Sequence, residues 1–77
     1  MGKKFEELSQ LKKDILLISA KFIDDWNISP GMGFLAGVIK PMVSVERIRQ
    51  ALMDLEKEGF IKRTKKDKYY KSFVLTD

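Results

Sequence analysis

Over the first third of the chain, apolar and polar positions alternate with helical spacing. Leu8, Leu11, Ile15, Ile18 and Phe22 recur at intervals of three and four, which sets them on one face of a helix. Neither Pro nor Gly interrupts Phe5 to Trp26, so residues 1–27 are expected to hold one long helix ending near Asn27. The next segment, Asn27 to Met42, holds both prolines and three of the five glycines, and the periodicity stops there. Ser29 and Pro30 read as an N-cap and first helical residue, and a short helix is expected over Phe34 to Lys40, stopped by Pro41. Gly37 within it costs about 1 kcal/mol relative to alanine, so this helix must lean on its neighbours. Ser44 then reads as the N-cap of a helix from Val45 to Glu58, with Gly59 as its C-terminal stop. Val45, Ile48, Leu52 and Leu55 form its apolar stripe. Glu46, Arg47, Gln50, Met53, Asp54 and Lys57 point elsewhere, with Arg49 on the flank. Beyond Gly59 the period shortens to two, and Phe60 to Lys65 and Tyr69 to Thr76 flank Lys66, Asp67 and Lys68 as a predicted hairpin. Simple alternation puts Tyr69, Phe73 and Leu75 on one face and Tyr70, Ser72 and Val74 on the other.

These elements fit one domain over residues 1–77, mainly α with a small β-hairpin (α+β), and leave no room for a cofactor fold. Hydrophobic residues make up 44% of the chain but never form a run of about 18, which excludes a transmembrane helix. Met1 to Lys4 is basic, yet Phe5 to Leu8 carries two glutamates where a signal peptide would be apolar; a cytoplasmic location without membrane contact is expected. With no cysteine, neither disulfides nor a thiolate zinc site can staple the fold. With no histidine, the commonest metal ligand and general base are both missing, and an enzyme is not expected.

Charge is unevenly placed. Residues 1–59 carry nine Lys/Arg and nine Asp/Glu, whereas residues 60–77 carry six and two, so the net +4 arises entirely in the last 18 residues. A charge run alone is often only a solvated face, and its meaning depends on what lies beside it.

Helix, short helix, turn, helix and basic hairpin is the order of the winged helix-turn-helix fold. Leu35-Ala36, Val43-Ser44, the stretch Leu55-Glu56-Lys57-Glu58-Gly59-Phe60-Ile61-Lys62-Arg63 and the closing Leu75-Thr76 resemble transcriptional regulators of the MarR and PadR kind. The resemblance covers roughly residues 34–77. It implies a helix-turn-helix over 34–59, a wing over 60–77 and binding of double-stranded DNA. The helix from Ser44 would enter the major groove and present its first turns to base edges. Arg47, Arg49 and Gln50 become the candidates for base contact, since Arg grips guanine O6 and N7 and Gln grips adenine N6 and N7. Ser44, Lys62, Arg63, Lys65, Lys66, Lys68 and Lys71 become the candidates for backbone contact, with a strong salt dependence expected.

The first helix raises assembly. The face of Leu8, Leu11, Ile15, Ile18 and Phe22 would serve a coiled-coil seam as well as a core, while Phe5, Leu16 and Ile23 lie beside it and Leu17 lies on another side. That is more apolar surface than the remaining domain readily covers, and a homodimer through this helix, reading half-sites about 10 base pairs apart, is expected.

Other signals are weaker. Gly31-Met32-Gly33-Phe34-Leu35-Ala36 fits the dinucleotide-binding string, but it lacks a preceding strand and a long following helix. Asp24 and Asp25, like Glu6 and Glu7, turn about 100° apart on a helix and make no catalytic pair. Tyr69 and Tyr70 suit base stacking in principle but are better read as cover for a small core. No cofactor, metal or small-molecule ligand is expected. The competing reading is a winged-helix protein-interaction module, with Met32, Met42 and Met53 as its adaptable surface.

Overall fold

The computed structural model describes residues 4–39 and 43–76. Within them lie a 3-10 turn (Phe5–Glu7), helices α1 (Gln10–Trp26), α2 (Met32–Val38) and α3 (Val45–Lys57), and strands β1 (Ile61–Arg63) and β2 (Phe73–Leu75), paired antiparallel. The expected order of three helices and a hairpin is present, as a small α+β domain.

The first helix is shorter than its periodicity suggests. Ser9 is extended, and its Oγ accepts the Lys12 N–H at 3.4 Å, so α1 begins at Gln10 and the preceding turn is a separate element. Asn27, left-handed at φ 60°, ends α1, a conformation that Asn tolerates better than most residues. The expected α2 boundaries also shift. Gly31, not Ser29, is the N-cap, and the helix runs from Met32 to Val38. Lys40 and Pro41, which the sequence assigned to its end, lie outside the described residues.

Ser29 is occupied elsewhere. The Phe60 and Thr64 registers continue the hairpin ladder on either side of the strands, through Thr76 N–H to Phe60 O and Thr64 N–H to Ser72 O. In that antiparallel pattern the Phe73 N–H points away from β1. It donates to Ser29 Oγ at 3.2 Å, and the Ser29 hydroxyl donates to Lys71 O at 3.2 Å. The loop after α1 therefore closes the outer edge of β2.

The core gathers Ile15 and Leu16 of α1, Leu35 of α2, Ile48, Ala51, Leu52 and Leu55 of α3, and Ile61, Tyr70 and Phe73 of the hairpin region. Val45, expected inside, is exposed, and Ala51 takes its place on the buried stripe. A Schellman ending closes α3: Gly59 at φ +85° lets Phe60 N–H reach Leu55 O and its own N–H reach Glu56 O. The chain then reverses into β1 against α3.

Burial corrects three expectations. Leu8 and Ile15, assigned to a dimer seam, are 5% and 0% exposed within the domain itself, with Leu11 and Ile18 packed partly buried against the same core. Phe22 lies against the rings of Trp26 and Phe34. From Leu8 to Ile18 the face at three-four spacing is thus the domain's inner face, and Phe22 lies at its edge. In the hairpin, Tyr70 is buried with Phe73 while Tyr69 is exposed, because the left-handed Tyr70 (φ 52°) breaks the alternation. Met32 is buried, which removes it from any adaptable surface, Met53 is partly buried against the core, and Met42 lies outside the described residues.

Replacing Ser29 by alanine strands the Phe73 N–H, and the domain is expected to lose about 1–2 kcal/mol in urea denaturation at neutral pH. An unchanged midpoint would show that this link contributes nothing.

Candidate nucleic-acid interface

The surface opposite the α3 core stripe begins at Ser44, whose Oγ accepts the Arg47 N–H at 3.2 Å and so satisfies the first turn. With Ile48, Leu52 and Leu55 turned inward, helical geometry turns Arg47 and Gln50 outward, and both are exposed. Arg47 has no carboxylate partner among the described residues, and Gln50 makes only a long bond, 3.5 Å, to Asp54 Oδ1. Arg49 differs. Its guanidinium grips Glu46 through Nε at 3.2 Å and Nη2 at 2.5 Å, which holds the Glu46 carboxyl below its ordinary range and raises Arg49. Its Nη1 rests on Met53 Sδ at 3.5 Å. Of the three expected base-contacting residues, two are unencumbered and one is tied down.

Beside the apolar core they share, the hairpin is tied to this helix by a carboxylate. Glu56 of α3 accepts the Arg63 Nε–H at 2.9 Å on one oxygen and the Tyr70 hydroxyl at 2.8 Å on the other. Arg63 also lies over the Tyr70 ring at 4.7 Å and donates through Nη1 to Asp67 O at 2.8 Å. Burial pushes the Glu56 carboxyl up, but the bonds from Arg63 and Tyr70 outweigh it and leave it below its ordinary value. Burial, then the bond to Glu56, pushes the Tyr70 phenol up to about 12. Arg63, expected on the nucleic-acid backbone, is therefore an internal strut.

The turn beyond the clamp is shaped by Asp67, whose Oδ1 accepts the Tyr69 N–H at 2.8 Å and the Lys71 N–H at 3.4 Å. This local network brings Lys65, Lys66 and Lys68 to an exposed loop, with Lys62 and Lys71 exposed on the arms that lead into it. Among the described residues none of the five pairs with a carboxylate; Lys68 lies over the Tyr69 ring at 5.3 Å. Chemically the arrangement is a ribbon of free ammonium groups fixed to a helix that exposes Arg47 and Gln50, suited to a polyanion with hydrogen-bonding edges.

Sequence reasoning missed Glu56 and Tyr70 as the pieces that join ribbon to helix. Glu56 stands only within the stretch that carries the family resemblance, and simple alternation sets Tyr70 on the strand face opposite Phe73. The signal lay in their combination with Arg63, seven residues from Glu56, a pairing that only the chain reversal at Gly59 creates.

Because Tyr70 binds its proton more tightly when folded, its contribution is complete below the unfolded phenol value near 10 and fades as pH rises from there towards 12. The protein is expected to lose on the order of 2 kcal/mol over this window. Tyr70→Phe, less stable by about 1 kcal/mol at pH 7, should lack that loss. Urea melts of both proteins at pH 7, 10 and 11.5 decide it; parallel pH profiles would exclude the phenol as the cause. No protein-family model matches this chain, and neither a curated protein nor a solved structure is significantly similar to it.

Proposed function

We propose that this chain is a winged helix-turn-helix domain that binds duplex DNA as a small transcriptional regulator. In this reading α3 enters the major groove and the hairpin lies along the phosphate backbone. The observation that carries it is the clamp of Glu56 on Arg63 and Tyr70, which makes the free lysines and the exposed face of α3 parts of one rigid body.

Arg47 leads the base contacts because no carboxylate among the described residues competes for its guanidinium, and Gln50 follows because its bond to Asp54 is long. Arg49 must first leave Glu46, so it reads a base only at the expense of that ion pair. The Ser44 hydroxyl, already an acceptor for its helix, keeps its own proton to give to a phosphate. Lys62, Lys65, Lys66, Lys68 and Lys71 supply the backbone contacts, and Arg63 positions them.

The test is fluorescence anisotropy on labelled duplex DNA at about 50 mM salt and micromolar protein. The slope of log affinity against log salt is expected at about −4 to −5, for four to six phosphates neutralised. Replacing Lys65, Lys66 and Lys68 by alanine should flatten it by about 2 to 3. Arg47→Ala should relax sequence preference at a position found by selection from a random duplex pool, by about tenfold or more. No detectable binding under these conditions would remove the proposal.

A further inference from the structure

Among the described residues, the most exposed large apolar side chains lie together at one place, beyond the Leu8 and Ile15 end of the core stripe of α1. Trp26 is 68% exposed, Ile28 63% and Leu17 60%, and with Phe22 and Phe34 they line an open groove of about 750 Å³ between the C-terminal half of α1, the following loop and the start of α2. The Phe22 ring stands 5.0 Å from that of Phe34 and 6.4 Å from that of Trp26. These contacts hold the aromatic floor in place while leaving one side of it to water.

The charges at the groove say what fits. Lys21 and Asp25 line it, paired at 3.3 Å across one helical turn, and exposed Asp24 lies beside them. A lipid surface favours an apolar face flanked by lysine and arginine, and two adjacent aspartates oppose it. A second copy of a chain with net charge +4 is repelled wherever the wing or Arg47 would face it. At this groove that positive excess is absent, because Lys21 is offset by Asp25 and Asp24 lies beside them. A surface that carries a cation one helical turn from an anion can pair with a second copy of itself. About a two-fold axis, Lys21 of one copy can exchange its intrahelical partner for Asp25 of the other, and the reverse contact follows by symmetry.

The area agrees. With an aromatic side chain offering about 150–250 Å², the exposed parts of Trp26, Phe34, Leu17 and Ile28 amount to roughly 500 Å² per copy. Two such faces and their polar rims approach the roughly 1,200 Å² at which specific interfaces begin. We infer that the chain forms a two-fold homodimer through this groove, with Trp26 at its centre and Lys21 and Asp25 exchanged across the axis. The contact uses the outer face at the end of α1, not the Leu8 and Ile15 face already consumed by the core, and it does not rest on DNA binding.

Sedimentation of the full chain without DNA tests it, and Trp26, the only tryptophan, supplies a second readout in its emission. The expected result is a monomer–dimer equilibrium in the micromolar range, with Trp26 emission shifting to the blue as dimer forms. Trp26→Glu, a change at an exposed position that leaves the core intact, should weaken association about 30-fold or more. Lys21→Glu or Asp25→Lys alone should weaken it, and the two together should restore it. Monomer alone at millimolar concentration, open-ended aggregation, or a double charge swap no better than the single ones would each overturn the inference. So would a blue shift that appears only with added vesicles. Duplex binding measured on the same samples keeps the outcome separate from that of the DNA reading.

Discussion

A short two-stranded hairpin has little to hold it in water, and strands of three residues with a nine-residue connection have less than most. What orients this one, beyond the burial of Ile61 and Phe73 in the core, is the Glu56 carboxylate. Each of its oxygens accepts one bond, from Arg63 Nε and from the Tyr70 hydroxyl, and the Arg63 guanidinium closes over the Tyr70 ring. A partly buried carboxylate costs several kcal/mol unless its lone pairs are engaged, so the three groups stand or fall together. Because Glu56 belongs to α3, the helix and the hairpin share this one anchor, and the orientation of the lysine-bearing loop is inherited from the helix.

The anchor also explains the backbone around it. Tyr70 can reach Glu56 only if the chain departs from strand geometry, and it does so by adopting a left-handed conformation that costs a tyrosine on the order of 1 kcal/mol or more. Asp67 offsets part of this by accepting two backbone N–H groups of the turn, and its own carbonyl accepts Arg63 Nη1. Ser29 secures the far edge of β2 from the α1 side. The hairpin is thus tied down at three points by polar contacts where its own ladder is too short.

Helix existence was legible in the sequence because it follows from periodicity, which local chemistry imposes. The ends were less so. Ser9 caps α1 where it looked like an interior residue, and Ser29 looked like a cap but serves a strand 44 residues away, because a serine hydroxyl advertises the same chemistry for either use. On α1 the three-four spacing identified an apolar face but not its partner, since a core and a dimer seam demand the same pattern. The groove at Trp26 was invisible for the opposite reason: Trp26, Ile28 and Phe34 follow no single period and meet only when the loop after α1 folds back. The candidate interface was legible as a list of cations. Which of them are free depended on Glu46 and Glu56, whose partners are set by tertiary contact in one case and by competition within a helical turn in the other.

That partition of charge gives the molecule its direction. The four acidic residues of the α3 region are all engaged from within: Glu46 by Arg49, Glu56 by Arg63, and Asp54 and Glu58 by Lys12 of α1 at 3.5 and 3.6 Å. Three of the cations that hold them are thereby withdrawn from any outside partner. Arg47 and the five hairpin lysines are not, so among the described residues they leave uncompensated positive charge on the exposed face of α3 and along the hairpin, while Lys21, Asp25 and Asp24 leave the Trp26 groove without a positive excess. Like-charged faces of two copies keep apart and apolar faces without a positive excess do not, so the charge pattern that favours a polyanion at the helix and the loop also favours the Trp26 groove as the face for the inferred self-association.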